Sequence, residues 1–500
     1  MPATLLSARS RQLALAAAFL GWLFDGFEMG LFPVVGPPAL QDLLGASASG
    51  AARDNWFGVI IAVFLVGAAS GGVVFGWLGD KIGRVRAMAL SILTYALFTG
   101  LCGVATEPWQ LAGFRFLASL GMGGEWSLGV ALVNEVWPGK SRAVVAGLIG
   151  AAGNCGYLLV PLLSMSLLSL ITYVRSGMLG IGIPEPWVEH LLHNQGWRFL
   201  MISGALPALL VFLILAGVPE SPRWKEEQAR GATSHWANLD LLGVLGGAVA
   251  ALVIIWAWSP MGVHPLLATL ITAFGLAAAC WGFLHPVRRY MARALESGDL
   301  SPAKRAEILR LMLLGAGLGA VALLGTWGFT QWAPKWAIEM AKDPSLHAKE
   351  WTQICLSLGA IVATFFAAIS AGRFGRRITY SALCIGSLIS ALILFQGSTK
   401  FDGFFLAATF LAGGMTASFY GFFPLYLPEL FPTAVRATGQ GFAYNFGRIL
   451  AAIGGLQTAN LMALFGGSFP KAASVMAFVY VIGVVLIRFA PETKGQELPD

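Results

Sequence analysis

Residues 115 to 142 read RFLASLGMGGEWSLGVALVNEVWPGKSR. The run carries about 20 mostly apolar residues, enough at about 1.5 Å per residue to cross a bilayer core of ~30 Å. It is not a plain anchor. Arg115 enters it, Gly121, Gly123 and Gly124 thin its middle, Glu125 follows them, and Glu135, Pro138 and Arg142 close it. A charge in hydrocarbon costs ~2.5 to 3.5 kcal/mol on insertion scales, so several in one span point to a lined cavity and hence to transport.

The rest of the chain has the same character. Of 500 residues 57% are hydrophobic and only 11% charged, and the mean hydropathy is +0.73. A soluble domain carries roughly 25% charged residues, so this is an all-α polytopic membrane protein. The net charge of +7 does not indicate nucleic acid, because the basic residues sit in short loops between apolar spans. Cys102, Cys155, Cys280, Cys355 and Cys384 lie inside apolar segments without ligand spacing and read as small core residues. The first span carries Asp25 and Glu28 in place of a clean apolar core and cleavage site, so it is expected to serve as its own insertion signal.

Apolar runs predict spans near 13–38, 56–78, 87–105, 110–134, 143–168 and 198–218, a hairpin at 239–258 and 264–284, and six more near 311–334, 352–372, 379–396, 404–427, 438–464 and 472–490. That is about 14 transmembrane helices in three parts: an N-terminal six-helix half (1–218), a linker (219–310) holding the extra hairpin (239–284), and a C-terminal six-helix half (311–500). Lys and Arg collect in one set of loops, 21 against 8, which places those loops and both termini in the cytoplasm of a cell-membrane protein.

The halves repeat each other. Lys81-x-Gly83-Arg84 recurs as Arg373-x-Gly375-Arg376, an offset of 292 (375 minus 83), and Glu135-x-x-Pro138-x-x-x-Arg142 recurs as Glu429-x-x-Pro432-x-x-x-Arg436, an offset of 294 (429 minus 135). Pro-Glu-Ser (219–221) and Pro-Glu-Thr (491–493) end each half alike at the smaller offset of 272 (491 minus 219), which predicts an inserted loop between Tyr173 and Trp197. Parallel repeats about a midplane site describe the major facilitator fold.

The stretch GWLGDKIGRVR at 76–86 resembles the signature loop of the major facilitator superfamily. GWLFDGFE at 21–28, GMGGEW at 121–126 and GFAYNFG at 441–447 are similar to the sialate:proton symporter family, which includes sialic acid transporters and lactate permeases and whose sialic acid members carry two extra helices between the halves. The chain departs from that pattern at Glu28, where the family often has Asp, and at Arg448, where the sialic acid transporter has a small residue. The PESPR and PETKG ends look more like sugar porters.

The candidate chemistry is a set of buried charges. Glu28 lies roughly 24 Å and Asp25 roughly 20 Å from the cytoplasmic start of the first span, and Arg115 lies roughly 9 Å from the outer end of the fourth, so Glu28 and Arg115 share a depth. Proton coupling is expected at Asp25, Glu28, Arg115 and Glu125, preferentially at Glu28, where Arg115 favours the ionised form and burial without it the neutral one. A static ion pair is the alternative. The resemblance independently implies an acid–base pair on helices 1 and 4. Arg448 sits some 18 Å into its span and needs an internal partner, either a substrate carboxylate or Asp25 or Glu125. Asn154, Tyr444, Asn445, Gln331, Gln457 and Trp126 are candidates to line a substrate site, or to bond between helices. Trp327 and Trp332 are further lining candidates. Asp80, Arg84, Glu135, Arg142, Arg376, Glu429 and Arg436 lie at cytoplasmic helix ends and are expected to latch the outward-open state. His190 and His193 have metal-like spacing but no third ligand, so no metal is expected, and no cofactor beyond the coupling proton. No nucleophile–base pair or phosphate loop suggests an enzyme. The expectation is a monomer in the lipid bilayer performing proton-coupled symport of a small organic anion, a sialic-acid-like sugar acid or a monocarboxylate. A neutral sugar or polyol symporter and an exporter of amphipathic compounds are the alternatives.

Overall fold

Lipid offers backbone N–H and C=O groups no partners, so apolar runs of this length must satisfy them internally, and they do so as helices. The structure is a computed structural model that describes residues 7–45, 47–137, 141–259, 262–328 and 332–499. The first half comprises α1 (Ala8–Leu44), α2 (Gly50–Ile82), α3 (Arg84–Cys102), α4 (Pro108–Val136), α5 (Arg142–Gly180), α6 (Glu185–Ser203) and α7 (Ala208–Gly217). A short surface helix α8 (Pro222–Ala229) leads to the hairpin α9 (Leu241–Ala257) and α10 (Pro265–Glu296). The second half runs through α11 (Pro302–Gly328), α12 (Ala333–Ala341), α13 (Ala348–Phe374), α14 (Arg376–Gly397), α15 (Gly403–Ala417), α16 (Phe419–Tyr426), α17 (Arg436–Asn445), α18 (Gly447–Leu464), α19 (Phe469–Ala477) and α20 (Val479–Leu486). Among the described residues there is no strand.

Thirteen helical segments among the described residues are long and apolar enough to span a bilayer, and α17 with α18 covers the remaining expected span. One sequence expectation fails. The segment from Tyr173 to Trp197 is no loop: α5 continues to Gly180, and α6 begins at Glu185 and bends only at residues 193–196. Across the turn between the two helices Arg175 binds Glu185 and Glu189 at 2.9 and 2.7 Å, in exposed pairs. The basic stretch 285–310 is also largely helical, because α10 runs on to Glu296 and α11 starts at Pro302, a favoured first-turn residue.

Two seams join the halves: α2 packs along α17 and α18, and α5 along α13 and α16. Helix association in lipid gains little from hydrophobicity and depends on close packing, so small residues mark these seams. Gly441 meets the carbonyl of Gly72 so closely that a Cβ would overlap it. The extra hairpin lies against the first seam, with α9 along α2 and α10 reaching α17. There Phe283 meets Phe446 edge to face at 6.3 Å.

The sequence repeat is also a conformational one. Gly83 between α2 and α3 has φ 109°, ψ 154°, and Gly375 between α13 and α14 has φ 100°, ψ 163°. That region is essentially closed to other residues. Gly83→Ala should destabilise the fold by about 1–3 kcal/mol, because its Cβ also meets the Glu220 carboxylate. Gly50, with open space around it, is the control: thermal unfolding in detergent should be lowered by Gly83→Ala and nearly unmoved by Gly50→Ala.

Candidate functional site

The α1–α4 contact forms a ladder. Gly21, Asp25 and Glu28 recur at helical spacing on one face of α1, and α4 runs antiparallel to it. On the outer rung Arg115 forms an ion pair with Glu28, Thr99 Oγ1 donates to the same carboxylate at 3.3 Å, and the guanidinium sits 4.7 and 4.3 Å from the ring centres of Phe32 and Phe64. On the inner rung the Glu125 carboxyl occupies the space left by the missing side chain of Gly21, one turn from Asp25. Asp25 and Glu125 are 0% and 1% exposed, and none of their four carboxyl oxygens has a hydrogen-bond partner among the described residues. The charges that face Asp25 are Glu125 and Arg448.

Arg448 reaches the gap from the second half. It is 2% exposed, and its Nε and Nη1 find no hydrogen-bond partner among the described residues. It lines a constricted cavity of about 80 Å³ with Trp22, Asn154, Tyr157, Trp327, Tyr420 and Tyr444. Ligand clefts are usually roughly 300 Å³ or more, so the space is narrowed in this conformation. Its hydroxyls are largely committed: Ser357 donates to Gln353 O at 2.9 Å, Thr416 to Ala412 O at 2.8 Å and Thr326 to Ala322 O at 3.0 Å.

The structure sorts the sequence candidates. Asn154, Tyr444, Arg448 and Trp327 line the cavity. Trp126 stands behind it, stacked on Tyr444 at 3.9 Å and 14° across the seam. Asn445 turns away and donates to Gly123 O and Gly441 O, both at 3.1 Å, because its position on α17 faces the packed seam instead of the gap. Gln457 is nine residues beyond Arg448 on α18 and is not part of the lining found among the described residues, while Gln331 lies outside the described residues. Trp332 is half-buried, with the Lys335 ammonium 5.6 Å from its ring centre. Trp22, Tyr157 and Tyr420 are lining residues that sequence reasoning missed. Spacing pointed to two of them: Trp22 is three residues from Asp25, and Tyr157 is three from Asn154.

At the basic end the helix termini form a cluster that joins the halves. Arg84 binds Asp80 at 2.7 Å and Glu135 at 3.0 Å within the first half and donates to Thr433 O of the second at 2.8 Å. Arg436 reaches Glu135 at 2.8 Å. Asp80 accepts from the N–H groups of Ala437 and Thr438 at 3.1 and 2.9 Å and from the Thr438 hydroxyl at 2.6 Å, so it caps the free donors at the start of α17. The other half repeats part of this: Arg376 binds Glu429 at 2.6 Å, but Gly372 stands where Asp80 does, and Arg142 comes only to 4.0 Å from Glu429.

The Glu of each Pro-Glu end caps the helix that follows the repeated turn. Glu220 accepts from the N–H groups of Arg84 and Val85, and Glu492 from those of Arg376 and Arg377, at 2.9 and 3.1 Å in both cases. Burial raises the Glu220 pKa despite these donors. At the shallower Glu492, burial is outweighed by the N–H groups of Arg376, Arg377 and Lys494, and the pKa falls below the ordinary value. Beyond Glu492 the chain folds back over the cluster. Arg142 of the first half, Arg223 of the linker and Arg436 of the second half donate to the carbonyls of Gln496, Leu498 and Pro499, at 3.3, 3.3 and 2.6 Å.

Two helical halves around a central cavity, closed at one end by helix-terminus charges, define a multi-pass transporter of the major facilitator fold. Residues 13–240 and 338–500 match the family described as sugar (and other) transporter, and the chain belongs to that family. It is similar to the cis,cis-muconate transport protein of Acinetobacter baylyi, 27% identical over 497 residues and covering 98% of this chain and 96% of that one. It is 24% identical over 484 residues to the niacin transporter NiaP of the same organism, covering 96% and 93%. The fold resembles that of the proton:xylose symporter XylE bound to 6-bromo-6-deoxy-D-glucose, with a TM-score of 0.68 at 19% identity over 99% of this chain and 98% of that one. The narrower likeness to sialate:proton symporters rests on the short motifs alone.

Asp80→Asn removes the anion that three donors from the other half share. Losing such a buried acceptor costs about 1–3 kcal/mol, so opening at the basic end should become about 5- to 150-fold more frequent. Reaction of a maleimide with a cysteine introduced at buried Thr433 in a cysteine-free background should accelerate correspondingly, and an unchanged rate would show that Asp80 does not hold this end closed.

Proposed function

We propose that the protein is a proton-coupled symporter of small organic anions, with Arg448 as the group that receives the substrate carboxylate. The observation that carries this reading is a buried guanidinium in a central cavity with two nitrogens that have no partner among the described residues. A planar guanidinium suits a carboxylate, which can accept two parallel N–H bonds. The other walls offer the faces of Trp22, Tyr157, Trp327, Tyr420 and Tyr444, while the serine and threonine hydroxyls are spent on backbone carbonyls. Such a site favours a small flat acid over a polyhydroxylated sugar, whose hydroxyls would go unpaired. The relatives named for niacin and for cis,cis-muconate, an aromatic and an unsaturated carboxylate, support the same class.

In this reading the halves 1–218 and 311–500 rock about the central gap, and the linker 219–310 spans them. The basic end faces the cytoplasm of the cell by its Lys and Arg content. The unit of transport in this reading is a cell-membrane monomer, with cavity residues drawn from both halves of the chain. The ion cluster at Asp80, Arg84, Glu135 and Arg436 holds the cytoplasmic end shut while the substrate loads from the other side.

The test is uptake into proteoliposomes under an inward proton gradient, comparing nicotinate, lactate, sialic acid and a neutral hexose. Gradient-driven accumulation of a carboxylate is expected. Arg448→Ala removes the partner of a buried charge, worth about 2–5 kcal/mol, and should lower carboxylate uptake at least about 30-fold, with Arg448→Lys intermediate. Uptake of the hexose alone would sink the anion reading.

A further inference from the structure

The two rungs of the α1–α4 ladder differ in how their charge is balanced. Glu28 and Arg115 neutralise each other with no proton to place. Freeing Glu28 would leave Arg115 without its counter-ion among Phe32 and Phe64, a position that is expensive for a lone charge. The inner rung is the reverse. Asp25 and Glu125 are both fully buried, and among the described residues no donor satisfies any of their four oxygens and the buried hydroxyl of Tyr95 beside them on α3 has no partner. The other titratable and charged groups that face them are Tyr95 from α3 and Arg448 from α18. One cation cannot balance two carboxylates in so dry a place, and like carboxyls that share a site share protons.

We propose that Asp25 and Glu125 together carry the coupling proton, and that Glu28–Arg115 is a fixed ion pair that positions α1 on α4. This rests on the carboxylate reading of Arg448. The empty site holds one proton on the pair, and the remaining negative charge balances Arg448 across the gap. When a substrate carboxylate docks on Arg448 it brings a second negative charge. The pair then takes one proton from the aqueous side that is open, and both carboxyls become neutral. On the opposite side the carboxylate leaves, one proton leaves with it, and Arg448 regains its partner. A monocarboxylate therefore crosses with one proton and no net charge, and a dicarboxylate carries one negative charge with it.

The experiment measures proton uptake when nicotinate binds to the detergent-purified full chain in weakly buffered solution, together with affinity between about pH 6 and 8. Wild type should take up about one proton per nicotinate, with affinity rising up to about tenfold per unit fall in pH. Asp25→Asn/Glu125→Gln should take up none and bind with a flat pH profile, whereas Glu28→Gln/Arg115→Met should still take up the proton. Proton uptake that survives in the first double variant, or disappears only in the second, overturns the assignment. If the first double variant is not recovered folded, the single variants decide: Asp25→Asn and Glu125→Gln should each still take up about one proton, because one carboxyl remains to face Arg448, and loss of uptake in only one of them overturns the pair. Failure of wild type to bind nicotinate, lactate, sialic acid or cis,cis-muconate overturns the carboxylate reading itself. Normal binding with proton uptake unaffected by Asp25 and Glu125 overturns only this step.

Discussion

A charge inside a bilayer-spanning protein has to be balanced by another charge, by a dipole or by a proton, since no water shell will do it. The buried charges here resolve into these solutions. Glu28 and Arg115 balance as ions, Asp80 is balanced by the free N–H groups at the start of α17 as well as by Arg84, and Asp25 and Glu125 have neither ion nor donor within hydrogen-bonding reach among the described residues. The different solutions sit at different heights. The fixed ones secure helices to each other, and the unresolved one lies where the two halves face across the cavity.

The ion cluster at the basic end repeats in the two halves and yet is lopsided. Arg84–Glu135 and Arg376–Glu429 are counterparts, as are the caps Glu220 and Glu492. Asp80 has no counterpart, because Gly372 takes its place. The α2–α17 seam is therefore tied directly from half to half, while at the α5–α13 seam Arg142 approaches Glu429 only at 4.0 Å. The extra hairpin lies against the same tied seam, through α9 on α2. The seam with α5 and α13 is the one less bound by charge at this end.

Much of this was legible in the sequence because a membrane forces periodic apolar runs and punishes stray charge. The spans, the duplicated motifs and the pairing of Glu28 with Arg115 all follow from those two constraints. Residues 173–197 were misread as a loop because their polar residues, Arg175, Glu185 and Glu189 among them, break the apolar run although the helices α5 and α6 continue through them. Asn445 and Arg448 are three residues apart, yet one faces a packed seam and the other the gap. Only the rotational setting of α17 and α18 decides which, and sequence spacing does not fix it. Part of the aromatic lining escaped for a similar reason, since Trp22 and Tyr420 are as ordinary in a packed membrane interior as in a cavity wall.

The segment from Gln496 to Pro499 has a mechanical meaning. Its carbonyls at Gln496, Leu498 and Pro499 are each held by an arginine from a different part of the molecule: the first half, the linker and the second half. A segment gripped at three points cannot follow all of them if they separate, so any parting of the basic end has to loosen at least one grip. The segment thereby ties three parts of the molecule together at once, and a separation at this end is registered first in these three bonds.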